Sequence, residues 1–452
     1  MVQVTITGAE FTLDHVLSCY EEKDGSETAR NNGFAFQDVH MVLFVGFGLL
    51  LAFLRRYSAS GIGFSLLISA LVIQWGLFIH EIFLYRGKTI FVGFRSLLAG
   101  DFAAITVLIS FGAVLGKLTP IQLLFMAMVE VVVYALNCYI GCDLFMAMDS
   151  GYSMYTHMFG AFFGVGVARM IYQQHHIEHP QEARTYNSEM LSMLGILFLW
   201  VCFPSLNAAM APAMLYERAA INTVFALAAC TITTFVMMTL MSNEEKFDLF
   251  HLQNAALAGG VGIGSAAHLM VKPYGALLVG LVAAIVSVFG YTHIAPCLRN
   301  KLRIHDTRGV QNIHGYPGIL AAVVSVVTAA MVNMDKYGSD MYISFPAMTP
   351  NTTTFNWMGR SLTGVGRSAA AQAGFQAATF AVTLAIAVIG GLITGYFLSL
   401  RFWNQLNSES TYNDQIYWSC SEEGMPVHVL YVPPPSSATD QKETEGIINF
   451  SK

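Results

Sequence analysis

The sequence predicts an all-α polytopic membrane protein with about eleven transmembrane helices, arranged as two inverted five-helix repeats around a central pore. The first observation is composition: 55% of the 452 residues are hydrophobic and only 12% are charged. Soluble domains carry about 25% charged residues. The second observation is a series of apolar runs near the roughly 20 residues that a spanning helix needs. The third is a polar motif with one histidine that occurs twice, at the end of each predicted repeat.

Eleven apolar runs follow a polar N-terminal segment, residues 1–37. Hydropathy places the runs at about 39–54, 62–85, 96–115, 121–142, 151–172, 190–214, 219–241, 249–271, 274–297, 310–333 and 369–400. The transmembrane channel domain therefore covers residues 38–401. Repeat one is about 38–173, repeat two about 189–333, and the final span about 369–400. Because five spans is an odd number, repeat two must enter the membrane upside down relative to repeat one.

The two ends of the chain are assigned to opposite sides of the membrane. Lys and Arg are modestly enriched in the loops that would be cytosolic if the N-terminus is outside and the C-terminus is inside. Asn351 begins a glycosylation sequon in a loop that this topology places outside, whereas the Asn449 sequon would be cytosolic and unused. The polar segment 402–452 contains three consecutive prolines from Pro433 and is expected to be a mostly disordered cytosolic tail.

The repeated motif comprises residues 149–160 and 306–318, and in each copy a histidine follows an aspartate by eight residues. Asp149 and Asp306 suit helix N-caps, so His157 and His314 would lie roughly 12 Å along their helix axes. Helices that enter a membrane core about 30 Å thick from opposite faces would bring both imidazoles together near the midplane. Asp149 at the outer mouth would also favour a nearby cation, whereas Asp306 is interpreted mainly as the matching cap.

Two core histidines bonded to nearby backbone are the simpler interpretation of this pair. Ionisable side chains within spans are costly and usually functional, however, and the duplicated spacing favours a functional pair. In adjacent imidazoles one ring nitrogen donates a hydrogen bond and the other accepts it. The sequence therefore predicts a polar site for a small solute crossing in single file.

A rival cluster, His175, His176 and His179, is similar to the histidine boxes of membrane di-iron oxidases. Such centres need several boxes and no second one occurs, so a solvated loop is preferred and no metal is expected. None of the seven cysteines forms a CxxC pair, which argues against a zinc site or a disulfide framework. The net charge of −6 and the lack of a basic block argue against nucleic acid. The numerous glycines near both histidines are expected to allow close helix packing.

Several longer segments are similar to the Rh glycoprotein branch of the ammonium transporter/Rh superfamily. They include residues 36–48 (FQDVHMVLFVGFG), 253–260 (QNAALAGG) and 312–318 (NIHGYPG), and the resemblance runs from about residue 34 to Trp418. It implies a plasma-membrane homotrimer with one pore per subunit, ammonia and ammonium as substrates, and CO2 as a candidate second gas. It also implies a transport protein with no cofactor rather than an enzyme.

The resemblance assigns roles along the pore pathway. His157 and His314 correspond to the midplane pair, Asp149 to a vestibule aspartate and Phe102 to the outer gate phenylalanine. Two positions depart from the family pattern: Leu206 stands where a second gate phenylalanine is expected, and Cys138 where a vestibule glutamate is expected. Loss of that charge and of that ring face would weaken ammonium recruitment and is compatible with conduction of neutral gas. A chain beginning at residue 1 also lacks the additional first span usual in this branch.

Two further function classes remain alternatives. One is a non-conducting Rh-like membrane scaffold, which need not retain His157 and His314. The other is a membrane oxidase that uses the His175 cluster.

Overall fold

The computed structural model describes residues 4–6, 9–11, 35–85, 92–241, 246–357 and 360–419, most of which are helical. Two short antiparallel hairpins accompany the helices: β1 (Val4–Ile6) with β2 (Ala9–Phe11), and β3 (Thr354–Trp357) with β4 (Arg360–Thr363). Asn351, in the first predicted sequon, is exposed just before β3. Asn449, in the second sequon, lies outside the described residues.

The longer helices begin where the sequence offers a cap. Thr119, Thr185 and Ser368 each accept a hydrogen bond from the backbone N–H three residues further on, which satisfies a donor that the first turn leaves free. The helical segments are α1 (Ala35–Leu50), α2 (Ser58–Tyr85), α3 (Phe94–Val114), α4 (Pro120–Leu144), α5 (Ser153–Met158 continued by Phe159–Met170), α6 (Tyr186–Ala208), α7 (Ala213–Met241), α8 (Leu249–Ala255), α9 (Ala258–Gly264), α10 (Lys272–Leu302), α11 (Gln311–Gly315 continued by Tyr316–Ala330), α12 (Met334–Tyr337), α13 (Asp340–Ser344) and α14 (Ala369–Leu398).

Among the described residues, eight helices are long and apolar enough to cross a membrane, namely α2, α3, α4, α6, α7, α10, α11 and α14. The other three predicted spans are helical but short, polar or interrupted. Helix α1 is a shorter apolar helix, and α5 carries the polar motif. The span expected at about 249–271 is divided into α8 and α9, and glycine, a poor helix former, occupies four of the seven positions of α9. That these three segments also span the membrane, which would make eleven spans, therefore stays a prediction.

Helices α5 and α11 cross in antiparallel orientation. The first turn of each packs against the body of the other. Gln311, at the start of α11, donates to the carbonyl of Ala161 at 3.3 Å, whereas Gly318, further along α11, lies against Met158 and Ser153 at the start of α5. A Cβ on Gly318 would lie only 2.7 Å from the Cβ of Met158, so this crossing requires glycine. The arrangement places the Asp149 and Asp306 ends of the pair on opposite sides.

The folded unit continues past residue 402, where the sequence predicts the tail to begin, and extends through Asn413. Tyr412 is fully buried, and its backbone N–H donates to the carbonyl of Gly116 at 3.0 Å. Gly116 has a φ of +80°, and a Cβ there would lie 2.1 Å from the Tyr412 ring, so glycine is needed for both reasons. Residues 414–452 form a second unit, of which 414–419 are described.

The histidine cluster after α5 is only in part the solvated loop that the sequence predicts. His176 is buried, and desolvation together with nearby Lys117 lowers its pKa to about 2, so its ring is neutral. His179 Nε2 donates to the carbonyl of Ser408 at 2.9 Å, and His175 Nε2 lies 3.3 Å from Thr411 Oγ1. The prediction was wrong for His176, because residues 407–412, distant in sequence, pack onto this loop, whereas Gln174 and Glu178 of the same loop are exposed.

Candidate functional site

His157 and His314 contact each other where α5 and α11 cross. Their Nδ1 atoms are 3.1 Å apart. The ring centroids are 5.1 Å apart, and the two rings are nearly parallel, with an interplanar angle of 3°. Both side chains are buried, with 1% and 3% of their surface exposed. The contact that the duplicated motif predicts is therefore present.

Two phenylalanines extend the histidine pair into a stack of four rings. Phe203 of α6 stacks on His157 with centroids 5.8 Å apart, and Phe47 of α1 stacks on His314 at 6.1 Å. The interplanar angles are 20° and 19°. Sequence reasoning missed both phenylalanines. The repeat itself carries a signal for them, since α1 and α6 are the first helices of the two predicted repeats.

The hydrogen bonding of the pair leaves one ring nitrogen free. Only one proton can lie between the two Nδ1 atoms, so one imidazole donates and the other accepts. His157 Nε2 is buried and has no hydrogen-bond partner among the described residues. The flanking rings are apolar, so a small solute that reaches this nitrogen exchanges its water contacts for a single polar atom.

Asp149 is a buried helix cap rather than an exposed vestibule charge. Its Oδ1 accepts from the N–H of Ser153 at 2.9 Å and from Ser265 Oγ at 2.7 Å. Its Oδ2 accepts from the N–H groups of Met154 and Tyr155 at 2.8 and 3.0 Å. Only 5% of the residue is exposed, so direct contact with a hydrated cation has no support in this geometry. The prediction of a cation-attracting mouth did not take into account that four hydrogen bonds of the cap occupy both carboxylate oxygens.

Asp306 makes the corresponding cap at the start of α11. Its two carboxylate oxygens accept from the N–H groups of Gly309 at 2.9 Å and Gln311 at 3.1 Å. The left-handed φ of +76° at Gly309 lets the backbone turn tightly enough for both bonds. Asp306 is half-buried, so this cap is more accessible than that of Asp149.

The two predicted outer-pathway residues Phe102 and Cys138 both neighbour Tyr152. Phe102 is fully buried and stacks on the Tyr152 ring, with centroids 4.6 Å apart. Cys138 and Tyr152 line one small cavity together with His80 and Cys142. Tyr152 itself precedes α5 with a left-handed φ of +54°. The structure thus groups these residues at the Asp149 end of the crossing pair.

Leu206 is buried on α6 one helical turn after Phe203, the ring that stacks on His157. Residues three apart in a helix share a face. The side chain therefore lies on the face that leads from the histidine pair towards the end of α6.

We expect Leu206→Phe to lower flux along this pathway, or to raise its preference for a cation such as ammonium over neutral gas. A larger ring at this buried position narrows the pathway, supplies a cation-binding face, and adds overpacking strain of about 1–3 kcal/mol. Flux into liposomes measures the effect, and Leu194→Phe at an exposed position on the same helix is the matched control. Equal flux and selectivity in the two variants would place Leu206 outside the pathway.

The described residues contain no group of three His, Cys, Asp or Glu side chains that is arranged to hold a metal ion. This applies to the His175 cluster, where the rings of His175 and His179 contact each other and residues 408–412 instead. The five cysteines described, at positions 138, 142, 202, 230 and 297, are all free thiols.

Long apolar helices around a buried polar pair at an antiparallel crossing define a membrane transporter or channel. Residues 16–416 match the sequence model of the Ammonium Transporter Family, and the chain belongs to that family. Ammonium transporter Rh type B of Danio rerio is 40% identical over 429 residues, which cover 93% of this chain and 90% of that relative. Ammonium transporter Rh type C of Bos taurus is 41% identical over 392 residues, covering 86% and 83%.

Solved structures agree with the family assignment. Nitrosomonas europaea Rh50, described as a member of the Rhesus protein family of channels, superposes with a TM-score of 0.74 and 27% identity. The match covers 94% of this chain and 97% of Rh50. A sensor Amt protein superposes with a TM-score of 0.65 at 16% identity, which concerns the fold alone.

Proposed function

We propose that this protein conducts ammonia/ammonium across a membrane, with neutral ammonia as the species that passes the twin-histidine site and CO2 as a candidate second gas. The observation that carries the proposal is the stack Phe47–His314–His157–Phe203, which joins a polar centre to apolar flanks. The family membership and the Rh type B and C relatives supply the substrate class.

Desolvation explains why neutral ammonia is the crossing species. An ion in a low-dielectric interior costs tens of kcal/mol in the Born limit, whereas a neutral polar molecule costs far less. Ammonium would give up its proton to water before the apolar flank, and the ammonia would take up a proton from water beyond it. The free Nε2 of His157 accepts a hydrogen bond from ammonia when His157 Nδ1 donates to His314, and donates one to ammonia in the other tautomer.

The roles of the outer residues follow from their positions in the same proposal. Phe102 and Tyr152 form the outer constriction, with Cys138 in the adjoining cavity, and Leu206 lies on α6 one turn from Phe203. Asp149 supports the site by fixing the start of α5. The resemblance to Rh glycoproteins adds a homotrimer in the plasma membrane, with the N-terminus outside, the C-terminus inside and Asn351 glycosylated. The proposal keeps a transmembrane channel domain over residues 38–401 and a cytosolic segment 402–452, whose residues 402–413 belong to the folded unit.

Flux into liposomes containing the purified protein tests the proposal. We expect ammonia entry well above that of protein-free liposomes, weaker methylammonium entry, and no dependence of ammonia entry on membrane potential. CO2 entry in the same preparation decides whether the second gas is carried. Ammonia entry at the rate of protein-free liposomes would instead favour the non-conducting scaffold. Iron in the purified protein would support the alternative of a membrane oxidase.

A further inference from the structure

A cavity of about 300 Å³ lies at the Asp306 end of α11, on the other side of the histidine pair from Asp149. Its walls include Asp306, Gln311 and Asn312, which precede His314 on the same segment, and Phe250 and Tyr291 from neighbouring helices. The cavity is large enough for several small polar molecules. A solute leaving His314 in this direction would reach it next.

The cavity wall carries side-chain amide groups without partners. Asn312 is 1% exposed, and neither its Oδ1 nor its Nδ2 has a hydrogen-bond partner among the described residues. The Oε1 of Gln311, a residue 3% exposed, is likewise unpartnered. An amide group both donates and accepts, as ammonia does, whereas ammonium only donates. The Asn312 amide therefore matches the neutral molecule better than the cation, whereas the carboxylates of Asp306 and Glu182 on the same wall favour the cation.

A buried positive charge lies directly behind this wall. Arg308 is 1% exposed, and its guanidinium lies between the rings of Phe53 and Phe250, at 4.8 and 4.9 Å. It donates to Asn254 Oδ1 at 2.8 Å and to Gln253 Oε1 at 3.3 Å. Among the described side chains no carboxylate lies within 4.0 Å of it. The charge is thus held by neutral groups only.

Arg308 and Asn312 are separated by one side chain. A Cβ built on Gly309 would lie 3.3 Å from Asn312 Nδ2 and 3.8 Å from Asn254 Nδ2, and Asn254 is the residue that accepts from Arg308. At roughly 10 Å, an unpaired charge in a protein interior changes the population of a cation on the order of tenfold.

Other charges nearby cancel this field only in part. Asp306, Glu182 and Arg299 line the open cavity, where water screens their charges, and Glu182 also pairs with His305 Nε2 at 3.1 Å. Arg184 lies 4.6 Å from the Phe250 ring and pairs with Glu189 at 2.8 Å and Asp248 at 3.6 Å. Because Arg308 is fully buried, its charge is screened least.

We propose that the Asn312 wall is a second binding site, which takes the permeant as neutral ammonia, and that Arg308 behind it excludes the ammonium cation. The inference rests on the proposed ammonia conduction. It adds a selectivity site on the far side of the histidine pair, at residues with no role in the sequence analysis.

Three variants in liposomes test the site, with ammonia flux and potential-driven current measured on the same preparation. Arg308→Gln removes the charge, Arg308→Lys keeps it, and Asn312→Leu removes the amide. We expect ammonium current to rise about tenfold in Arg308→Gln and to stay at the wild-type background in Arg308→Lys. In Asn312→Leu we expect ammonia flux to fall about tenfold with no current.

Asn312→Asp tests the same electrostatics if Arg308→Gln does not fold, because it places a negative charge near Arg308 that offsets the guanidinium. An ammonium current is expected from this variant too. Wild-type current in every folded charge variant would overturn the exclusion by Arg308. Wild-type flux in Asn312→Leu would mean that the cavity holds water only. Wild-type protein that moves no ammonia would instead contradict the proposed function itself.

Discussion

His314→Asp is expected to slow ammonia conduction and to make the remaining transport carry current. His157 Nδ1 lies 3.1 Å from His314 Nδ1, so a carboxylate in that place would face the remaining imidazole and hold it protonated. The resulting charge pair would lie between the rings of Phe47 and Phe203, where desolvation of each ion costs several kcal/mol. Since 1.4 kcal/mol corresponds to about tenfold, flux should fall by at least about tenfold.

Ammonia flux and membrane current should be recorded together, on protein shown to keep its oligomeric state. His157→Asp is the reciprocal variant, and the same outcome is expected because the two rings stack almost in parallel. His293→Asp, at an exposed histidine outside the pair, controls for the substitution itself. If both pair variants conduct at wild-type rates without current, the histidines do not act on the permeant.

The duplicated motif shows how much of the site the sequence could predict. An aspartate followed eight residues later by a histidine, in two runs of similar position within each repeat, sufficed to place His157 beside His314. The prediction succeeded because helix geometry is local: a cap and a rise of 1.5 Å per residue determine how deep each ring lies.

The parts that sequence reasoning missed depend on contacts between distant segments. Phe47 and Phe203 are ordinary apolar residues of spanning helices, and only the crossing of α5 with α11 brings them onto the imidazoles. His176 likewise contacts Tyr412, whose hydroxyl donates to the His176 carbonyl, and the polar groups around Arg308 come from α6 and α8. The periodicity of apolar residues in one helix does not indicate which other helix will pack against it.

Asp149→Ala is expected to cause one of the largest losses of stability that a single substitution can produce in this chain. The buried carboxylate accepts four hydrogen bonds, three from the first turn of α5 and one from Ser265. Hydrogen bonds to a charged group contribute about 1.5–3 kcal/mol each, and removal of one partner leaves the others buried and unpaired. Because the bonds share one group their losses are not additive, and we expect about 3–5 kcal/mol in total.

Asp149→Asn distinguishes the role of Asp149 as a helix cap from a role in attracting cations. The amide nitrogen of asparagine would point donors at two of the N–H groups that the carboxylate now satisfies, so this variant should be almost as unstable as Asp149→Ala. Asp306→Asn is the matched control, since Asp306 is half-buried and accepts only two N–H groups, and we expect a loss of about 1 kcal/mol there. The melting temperatures of the purified variants give the order of their stabilities. If Asp149→Asn instead melts with the wild type and only its ammonium affinity falls, the carboxylate acts as a vestibule charge, and its four hydrogen bonds contribute little to the fold.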